Sequence, residues 1–459
     1  MEKHIEKYML KGKIPGISVV IVKEDETIYQ KGIGYANIDS KKNVTPTTLF
    51  ELGSMSKAFT GLGILKLEKD GLININEPIT KYIPWLKMKF EGDEVPIIVE
   101  EFLHQTSGIS FKTIDNIPIS DKNNALEQTV KSLIGIELDS YPGKRFQYAT
   151  INYDVLGYVI EKVTGKSYEE YMNENVLKRL DLSSTYLEID KVPLEEMSVG
   201  YKINFLKPRK YNAPVYRGNK PAGYVISNGE DIAKWLKIQL GTYSNHTFDK
   251  TLIEKSHVPN RKVVSLGNNS LYSGGWFVFE DGNGELTHGG TNPNFSSFIT
   301  FNPQKKIGVA VLSNINSSYV PLIGQGLMEI IQDKEYNPSE ISDLNKSLDK
   351  LSIIALCILI ALYILLVIFA FVGIKQLIVK ERNFQLKEIK SIFTLSFSIV
   401  FMIFLTYGIY CIPHALYKGV SWNFIFVWLP KTSKVAIYLL TIFVWLLYLY
   451  YLFVNFFKT

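Results

Sequence analysis

Ser54-Met55-Ser56-Lys57 sets a serine and a lysine three residues apart. On a helix that spacing puts both side chains on one face, one turn from each other. A serine that opens the helix lies at the positive end of its dipole, and the lysine amine lies within reach as a proton acceptor. This is a nucleophile with a built-in base, and it needs no aspartate. Roughly two such S-x-x-K spacings arise by chance in a chain this long, given average lysine usage. The weight comes from two later motifs in the order this chemistry requires, Tyr148-Ala149-Thr150 and then His288-Gly289-Gly290.

The pattern around Ser54 is that of a mixed α/β protein. Gly16–Val22 and Thr27–Tyr35 read as strands around a Lys23–Glu26 turn. Lys57–Asp70 and Asn152–Thr164 carry helical spacing, each with a glycine as its stop. Asp231–Leu240 reads as a short amphipathic helix capped near Ser227 or Asn228. Trp276–Phe279, Phe298–Phe301 and Ile307–Leu312 read as strands. Strands at both ends with helices between predict one antiparallel sheet built from both ends of the domain, with a helical region inserted. The 459 residues allow two or three units, and a net charge of +5 gives no field suited to nucleic acid. The six histidines show no metal-ligand spacing, there is no phosphate loop or dinucleotide motif, and no cofactor is expected.

After residue 350 the composition changes. Residues 351–374, 392–413 and 435–457 are apolar runs, each longer than the roughly 20 residues that cross a bilayer as a helix. They are apolar on all faces and consecutive, which argues against buried core helices. The lipid bilayer is therefore an expected partner. Trp422–Leu429 is too short to span and reads as an interfacial segment. The division expected is a soluble domain over 1–335, a linker over 336–350 and a three-helix membrane domain. The first loop carries Lys375, Lys380, Arg382, Lys387 and Lys390; the second carries Lys418, Lys431 and Lys434. The richer loop is expected in the cytoplasm, which puts the soluble domain outside. Residues 1–20 show no export signal, which leaves three readings: a start further upstream, which is the one expected, translocation by the first span, or a cytosolic domain. Cys357 and Cys411 both fall in the spans, so no disulfide is expected in the soluble domain.

Further motifs carry a resemblance. Thr48-Leu49-Phe50 precedes Ser54-x-x-Lys57. Leu103-His104-Gln105-Thr106-Ser107-Gly108 and Tyr141-Pro142-Gly143-Lys144-Arg145-Phe146-Gln147-Tyr148 come next, then Pro221-Ala222-Gly223 with Ser227 and Asp231, and His288-Gly289-Gly290 with Phe295-Ser296-Ser297. Over roughly residues 5–330 the chain resembles the serine β-lactamase and penicillin-binding-protein superfamily, in its class C β-lactamase-like branch. The resemblance implies that Ser54 forms an acyl-enzyme, that Lys57 is the first base, and that Tyr148 relays the proton and helps activate water. It implies an oxyanion hole from the backbone N–H groups of Ser54 and Thr291. Among 27 tyrosines a packed aromatic is the ordinary reading, and the P-G-x-x-F-x-Y frame is what singles out Tyr148. His104 belongs to a structural turn in this branch and is given no catalytic role.

Three departures from the branch bear on substrate. His288 stands where lysine is usual, Gly289 where a hydroxyl residue is usual, and Thr150 where asparagine is usual. A neutral histidine and a glycine recognise a carboxylate poorly, which argues against β-lactamase and D-Ala-D-Ala carboxypeptidase activity and for an esterase, an aminopeptidase-like enzyme or an acyl-D-amino-acid peptidase. Gly289 and Gly290 let a peptide-like or acyl-amide substrate lie along a strand edge. Thr150, Asn292, Asn294 and Asn219 are candidates to bind a D-Asn side-chain amide, although asparagines of this kind also cap turns. The soluble domain with three spans after it is similar to membrane-bound peptidases that remove an N-acyl-D-asparagine leader from nonribosomal peptide prodrugs. That likeness implies an export transporter as a partner. The competing class is a non-catalytic penicillin- or peptide-sensing module that signals through its spans.

Overall fold

The computed structural model describes residues 1–263, 270–279, 284–336, 341–384, 389–416 and 419–458. The chain divides into two compact units, Met1–Lys202 with Pro208–Asp343, and Ile203–Lys207 with Leu344–Thr459.

The first unit is built on an eight-stranded sheet. Its strands are β1 (Gly16–Lys23), β2 (Glu26–Asn37), β3 (Lys42–Asn43), β4 (Ser270–Ser273), β5 (Trp276–Phe279), β6 (Glu285–Thr291), β7 (Ser296–Asn302) and β8 (Ile307–Ser313). Their spatial order is β4-β5-β6-β7-β8-β1-β2-β3. The early strands join the late ones through the antiparallel pairing of β1 with β8, from Ile17↔Ser313 to Lys23↔Ile307. β1, β7 and β8 are buried along almost their whole length; β1 and β8 read as near-continuous apolar runs rather than alternating ones, whereas β7 buries Ser296, Ser297, Thr300 and Asn302 beside its apolar residues. Helix α1 (Glu2–Gly12) precedes the sheet.

Between β3 and β4 lies the helical region. α2 (Ser56–Lys69) is buried on nearly every face from Ser56 to Leu65, as expected of a helix enclosed between a sheet and other helices. Phe59 of α2 stacks on Trp235 of α4 (Gly229–Gln239) with ring centroids 4.2 Å apart, and Trp235 stacks on Trp276 of β5 at 6.3 Å. α3 (Ile151–Thr164) ends at Gly165 in the left-handed conformation. The α4 cap is Asn228, whose side chain accepts from Asp231 N at 2.9 Å. α5 (Tyr319–Ile331) comes after the sheet.

The second unit holds α6 (Leu344–Ile378), α7 (Ile389–Leu416), the short α8 (Trp422–Trp428) and α9 (Lys431–Phe456). α6, α9 and residues 395–415 of α7 are long and apolar enough to cross a membrane. The segment read as a linker is helical from Leu344 onward. Its polar residues do not break the helix because Asp349, fully buried, accepts a hydrogen bond from Thr432 of α9 at 2.5 Å. Residues 337–340 of that linker, and Lys387 and Lys418 of the two basic loops, lie outside the described residues. Of the Trp422–Leu429 segment, Trp422–Trp428 form the separate short helix α8 and Leu429 follows it in extended conformation.

Candidate active site

Ser54 sits in a 3₁₀ turn, Gly53–Met55, that runs directly into α2. The serine therefore lies just outside the helix rather than opening it. Both the turn and the helix keep residues 54 and 57 on one side, and Lys57 Nζ lies 3.1 Å from Ser54 Oγ. The lysine is fully buried, donates a second hydrogen bond to the Ala222 carbonyl at 2.8 Å, and lies over the rings of Tyr148 (5.2 Å to the centroid) and Tyr153 (5.8 Å). An aimed amine with few rotamers left is the arrangement that proton transfer from a hydroxyl requires.

Tyr148 is carried by the segment before α3, and Gln105 holds it on both sides. The Gln147 N–H donates to the Gln105 carbonyl at 2.7 Å, and the Ala149 N–H donates to Gln105 Oε1 at 3.0 Å. Asn152 donates to the same Oε1 at 2.6 Å and accepts from Ser107 at 2.7 Å. The Leu103–Gly108 motif thus fixes the backbone on both sides of Tyr148. His104 is buried, with Nδ1 2.9 Å from the Tyr272 carbonyl, in keeping with a structural turn. The Tyr148 ring stacks on Phe277 at 6.4 Å and meets Tyr272 edge-on at 6.1 Å.

Thr291 comes from β6. The strand is brought against the serine turn by two glycines. Gly53 has φ +54°, and a Cβ there would lie 2.4 Å from Thr291 N. A Cβ on Gly290 would lie 1.9 Å from the Leu52 carbonyl and 2.2 Å from Ser297 Oγ. No side chain fits at either position, so the Thr291 nitrogen lies beside the chain that carries Ser54. Gly289 is the opposite case: it is exposed, and a Cβ would meet nothing within 4 Å. Pairing of β6 with β7 continues to Thr291↔Ser296, whereas pairing with β5 stops at Thr287↔Phe277. Among the described residues, the β5 side of residues 288–291 is a strand edge without a partner strand, suited to an extended acyl chain.

His288 is nearly fully buried. Its Nδ1 is 2.7 Å from the Gly289 carbonyl and therefore donates, so Nε2 accepts from the Tyr272 hydroxyl at 3.1 Å. Burial, with Lys57 nearby, pushes its pKa down to about 3. A neutral ring with both nitrogens occupied offers nothing to a carboxylate. The same shift makes a stability prediction. The folded value lies below the unfolded value of about 6.5, so the unfolded chain takes up the proton first. The stability from neutral His288 is complete above a pH of about 6.5 and is lost as pH falls toward about 3. The melting-temperature advantage of the wild type over His288→Asn should therefore shrink between about pH 7 and about pH 4.5. A constant difference would contradict the assignment.

The asparagines are placed differently from the expectation. Asn292 Nδ2 donates to Glu51 at 2.6 Å and to the Gly223 carbonyl at 3.0 Å, so both its N–H groups are used inside the protein. Asn294 Nδ2 donates to the Tyr211 carbonyl at 3.1 Å. Asn219, with its amide turned to satisfy its surroundings, reaches both oxygens of Asp154 at 3.1 and 2.9 Å. These three side chains hold structure rather than point free donors at a substrate. Thr150 is buried and forms the N-terminal boundary of α3, two residues from Tyr148.

Two carboxyl groups close to this machinery have no signal in the motifs. Asp154 is fully buried, with its pKa held well above the usual range by burial and drawn down by Lys57. Glu51, three residues before Ser54, is pushed up to about 7 by burial, opposed by the Asn292 hydrogen bond. Their positions, six residues after Tyr148 and three before Ser54, match neither helix nor strand spacing; their proximity shows only in the fold, through Lys57 beside Asp154 and the Asn292 amide on Glu51.

Fold and site together define a class: serine hydrolases in which a lysine, not a histidine–aspartate pair, adjoins the hydroxyl. Comparison with known proteins gives the family. The beta-lactamase family model matches residues 1–324, and the chain belongs to that family. It is 34% identical over 435 residues to "Protein flp" of Staphylococcus aureus (strain COL), spanning 94% of this chain and 86% of that protein. It is also 34% identical over 213 residues to the teichoic acid D-alanine hydrolase of Staphylococcus aureus, 45% of this chain and 50% of that one. Among solved structures, the octameric penicillin-binding protein homologue from Pyrococcus abyssi superposes with a TM-score of 0.63 at 28% identity, over 76% of this chain and 80% of that one. The hydrolase EstCE1 shares the fold at 20% identity and a TM-score of 0.60, over 70% of this chain and 95% of that one.

Proposed function

We propose that this serine hydrolase forms an acyl-enzyme on Ser54, with Lys57 as first base, Tyr148 as proton relay, and the N–H groups of Ser54 and Thr291 as the oxyanion hole. Its substrate is an ester or amide whose acyl part is a D-amino acid and whose leaving group carries no carboxylate beside the scissile bond. The observation that carries this reading is the pair His288 and Gly289: the histidine is neutral with both nitrogens occupied, and the glycine has no hydroxyl. A D-alanyl ester fits this description, and the likeness to a teichoic acid D-alanine hydrolase supports it.

The second reading is an amidase that removes an N-acyl-D-asparagine leader from a peptide prodrug. It is favoured by the three apolar helices after the hydrolase domain and by Thr150 beside the Tyr148 segment. It is weakened by the internal hydrogen bonds of Asn292 and Asn294. The soluble unit is proposed to face outward, on the basic-residue asymmetry of the loops. Protease added to intact cells should then cleave before residue 350 without permeabilisation; protection until the membrane is opened would reverse the topology.

A substrate panel separates the readings. D-alanyl glycerol ester should be hydrolysed with higher kcat/KM than its L-alanyl counterpart, and both penicillin and acyl-D-Ala-D-Ala should be poor. Faster turnover of an N-acyl-D-Asn amide than of the D-alanyl ester, with N-acyl-L-Asn and N-acyl-D-Leu amides rejected, would replace the first reading by the second. Penicillin or acyl-D-Ala-D-Ala as the best substrate would overturn both.

A further inference from the structure

The hairpin of Tyr201–Asn204 and Lys207–Lys210 turns on Phe205 and Leu206. Both turn residues are left-handed, with φ of 51° and 59°. Two consecutive left-handed residues make the kind of tight hairpin turn that selects Asn-Gly, because a large side chain there meets its own backbone. Here two bulky apolar residues occupy it. They are also exposed, Phe205 at 54% and Leu206 at 37%. Sterically disfavoured and solvent-facing apolar residues point to a use that the hydrolase site does not supply.

The tip, Ile203–Lys207, belongs to the compact unit that holds the apolar helices. Within that unit the Phe205 and Leu206 N–H groups donate to the buried Asp349 carboxylate at 3.0 and 2.6 Å, and the Thr432 hydroxyl donates to it at 2.5 Å. The Lys431 N–H donates to Asn204 Oδ1 at 2.5 Å. One turn onward, the Ser352 and Ser433 hydroxyls are 2.7 Å apart. This polar layer joins the second and third turns of α6 to the first turn of α9, where their apolar runs begin. Asp349 stands two residues before the apolar run that starts at Leu351, and Thr432 three before the one at Val435. α8, with Trp422 and Trp428, lies at the same end: Lys434 Nζ is 5.2 Å from the Phe426 ring. Tryptophans gather at the boundary of hydrocarbon and water.

We propose that Phe205 and Leu206 insert into the lipid interface, as a non-helical membrane contact pinned at the level of the helix starts by Asp349. The occupant of this apolar tip is the bilayer, because the tip shares its hydrogen-bonded layer with two spanning helices at the point where their apolar runs begin. Lys207, exposed and next in the chain, is placed to reach lipid phosphates while its stem covers apolar surface.

The test uses the full chain with Cys357→Ser and Cys411→Ser, reconstituted in phosphatidylcholine–phosphatidylglycerol vesicles. Phe205→Cys and Leu206→Cys are each labelled with a nitroxide, and Lys210→Cys serves as the reference. The expected result is a ratio of oxygen to nickel-chelate accessibility several-fold higher at 205 and 206 than at 210. Equal nickel accessibility at all three sites would place the tip in water. Shielding from both reagents at 205 and 206 would place it against protein. Either outcome overturns the proposal. Hydrogen exchange on the unlabelled protein gives an independent check: the amides of 205 and 206 should be protected in wild type and exchange freely in Asp349→Ala. Fast exchange already in wild type would likewise overturn it.

Discussion

Replacing Ser54 by alanine is expected to abolish acyl-enzyme formation and turnover while leaving the melting temperature of the protein close to wild type. The serine is half-buried and its hydroxyl lies 3.1 Å from the lysine amine, so its loss removes a reactant without opening the core. Lys57→Met and Tyr148→Phe should each cost on the order of 10²–10⁴-fold in kcat/KM, the usual range for a removed acid–base group. The losses should not add, because the three side chains act as one unit: once the hydroxyl cannot be deprotonated, the relay has nothing to relay. Single and double variants on one ester substrate give the comparison. Strictly additive losses would mean that Lys57 and Tyr148 work independently of each other.

Gly290→Ala is expected to be nearly as damaging, by a different route. The new methyl group would meet the Leu52 carbonyl and Ser297 Oγ at distances no side chain tolerates. β6 must then move away from the turn that carries Ser54, and the Thr291 N–H moves with it. The cost should resemble the loss of one oxyanion donor, on the order of 10²–10³ in kcat. Gly289→Ala is the matched control. Its Cβ points into open space, so it should fold and turn over, with any change confined to KM. Equal, small effects of the two substitutions would remove Thr291 from the proposed oxyanion hole.

The parts of this protein that are legible in its sequence are those with a short period. Ser54 and Lys57 can be paired because three residues is one turn, whether that turn is 3₁₀ or α. The apolar stretches Gly16–Val22, Phe298–Phe301 and Ile307–Leu312 read as strands, and the three long runs after residue 350 as helices able to cross a bilayer, because they differ in length and in being apolar on all faces. The illegible parts depend on contacts between distant segments. Gln105 grips both sides of Tyr148 from some forty residues away. Asn152 and Asp154 sit on a helix whose apolar spacing gives no sign of the polar partners they meet. Asn292, Asn294 and Asn219 read equally as substrate ligands and as turn caps, because an asparagine in a loop looks the same whether its amide faces a cavity or a carbonyl; in the fold their amides meet Glu51, Tyr211 and Asp154. The C-terminal half of the linker reads as solvated because it is charged, whereas Asp349 is buried and accepts from backbone N–H groups.

The central claim is a covalent intermediate on Ser54. The direct measurement is peptide mapping by mass spectrometry after the full chain is treated with a fluorophosphonate and, separately, with a slowly hydrolysed D-alanyl ester. The account predicts one adduct per chain in both cases, carried by the peptide that contains Ser54 and absent from Ser54→Ala. An adduct on another residue, or hydrolysis of the ester by Ser54→Ala at the wild-type rate, would contradict it.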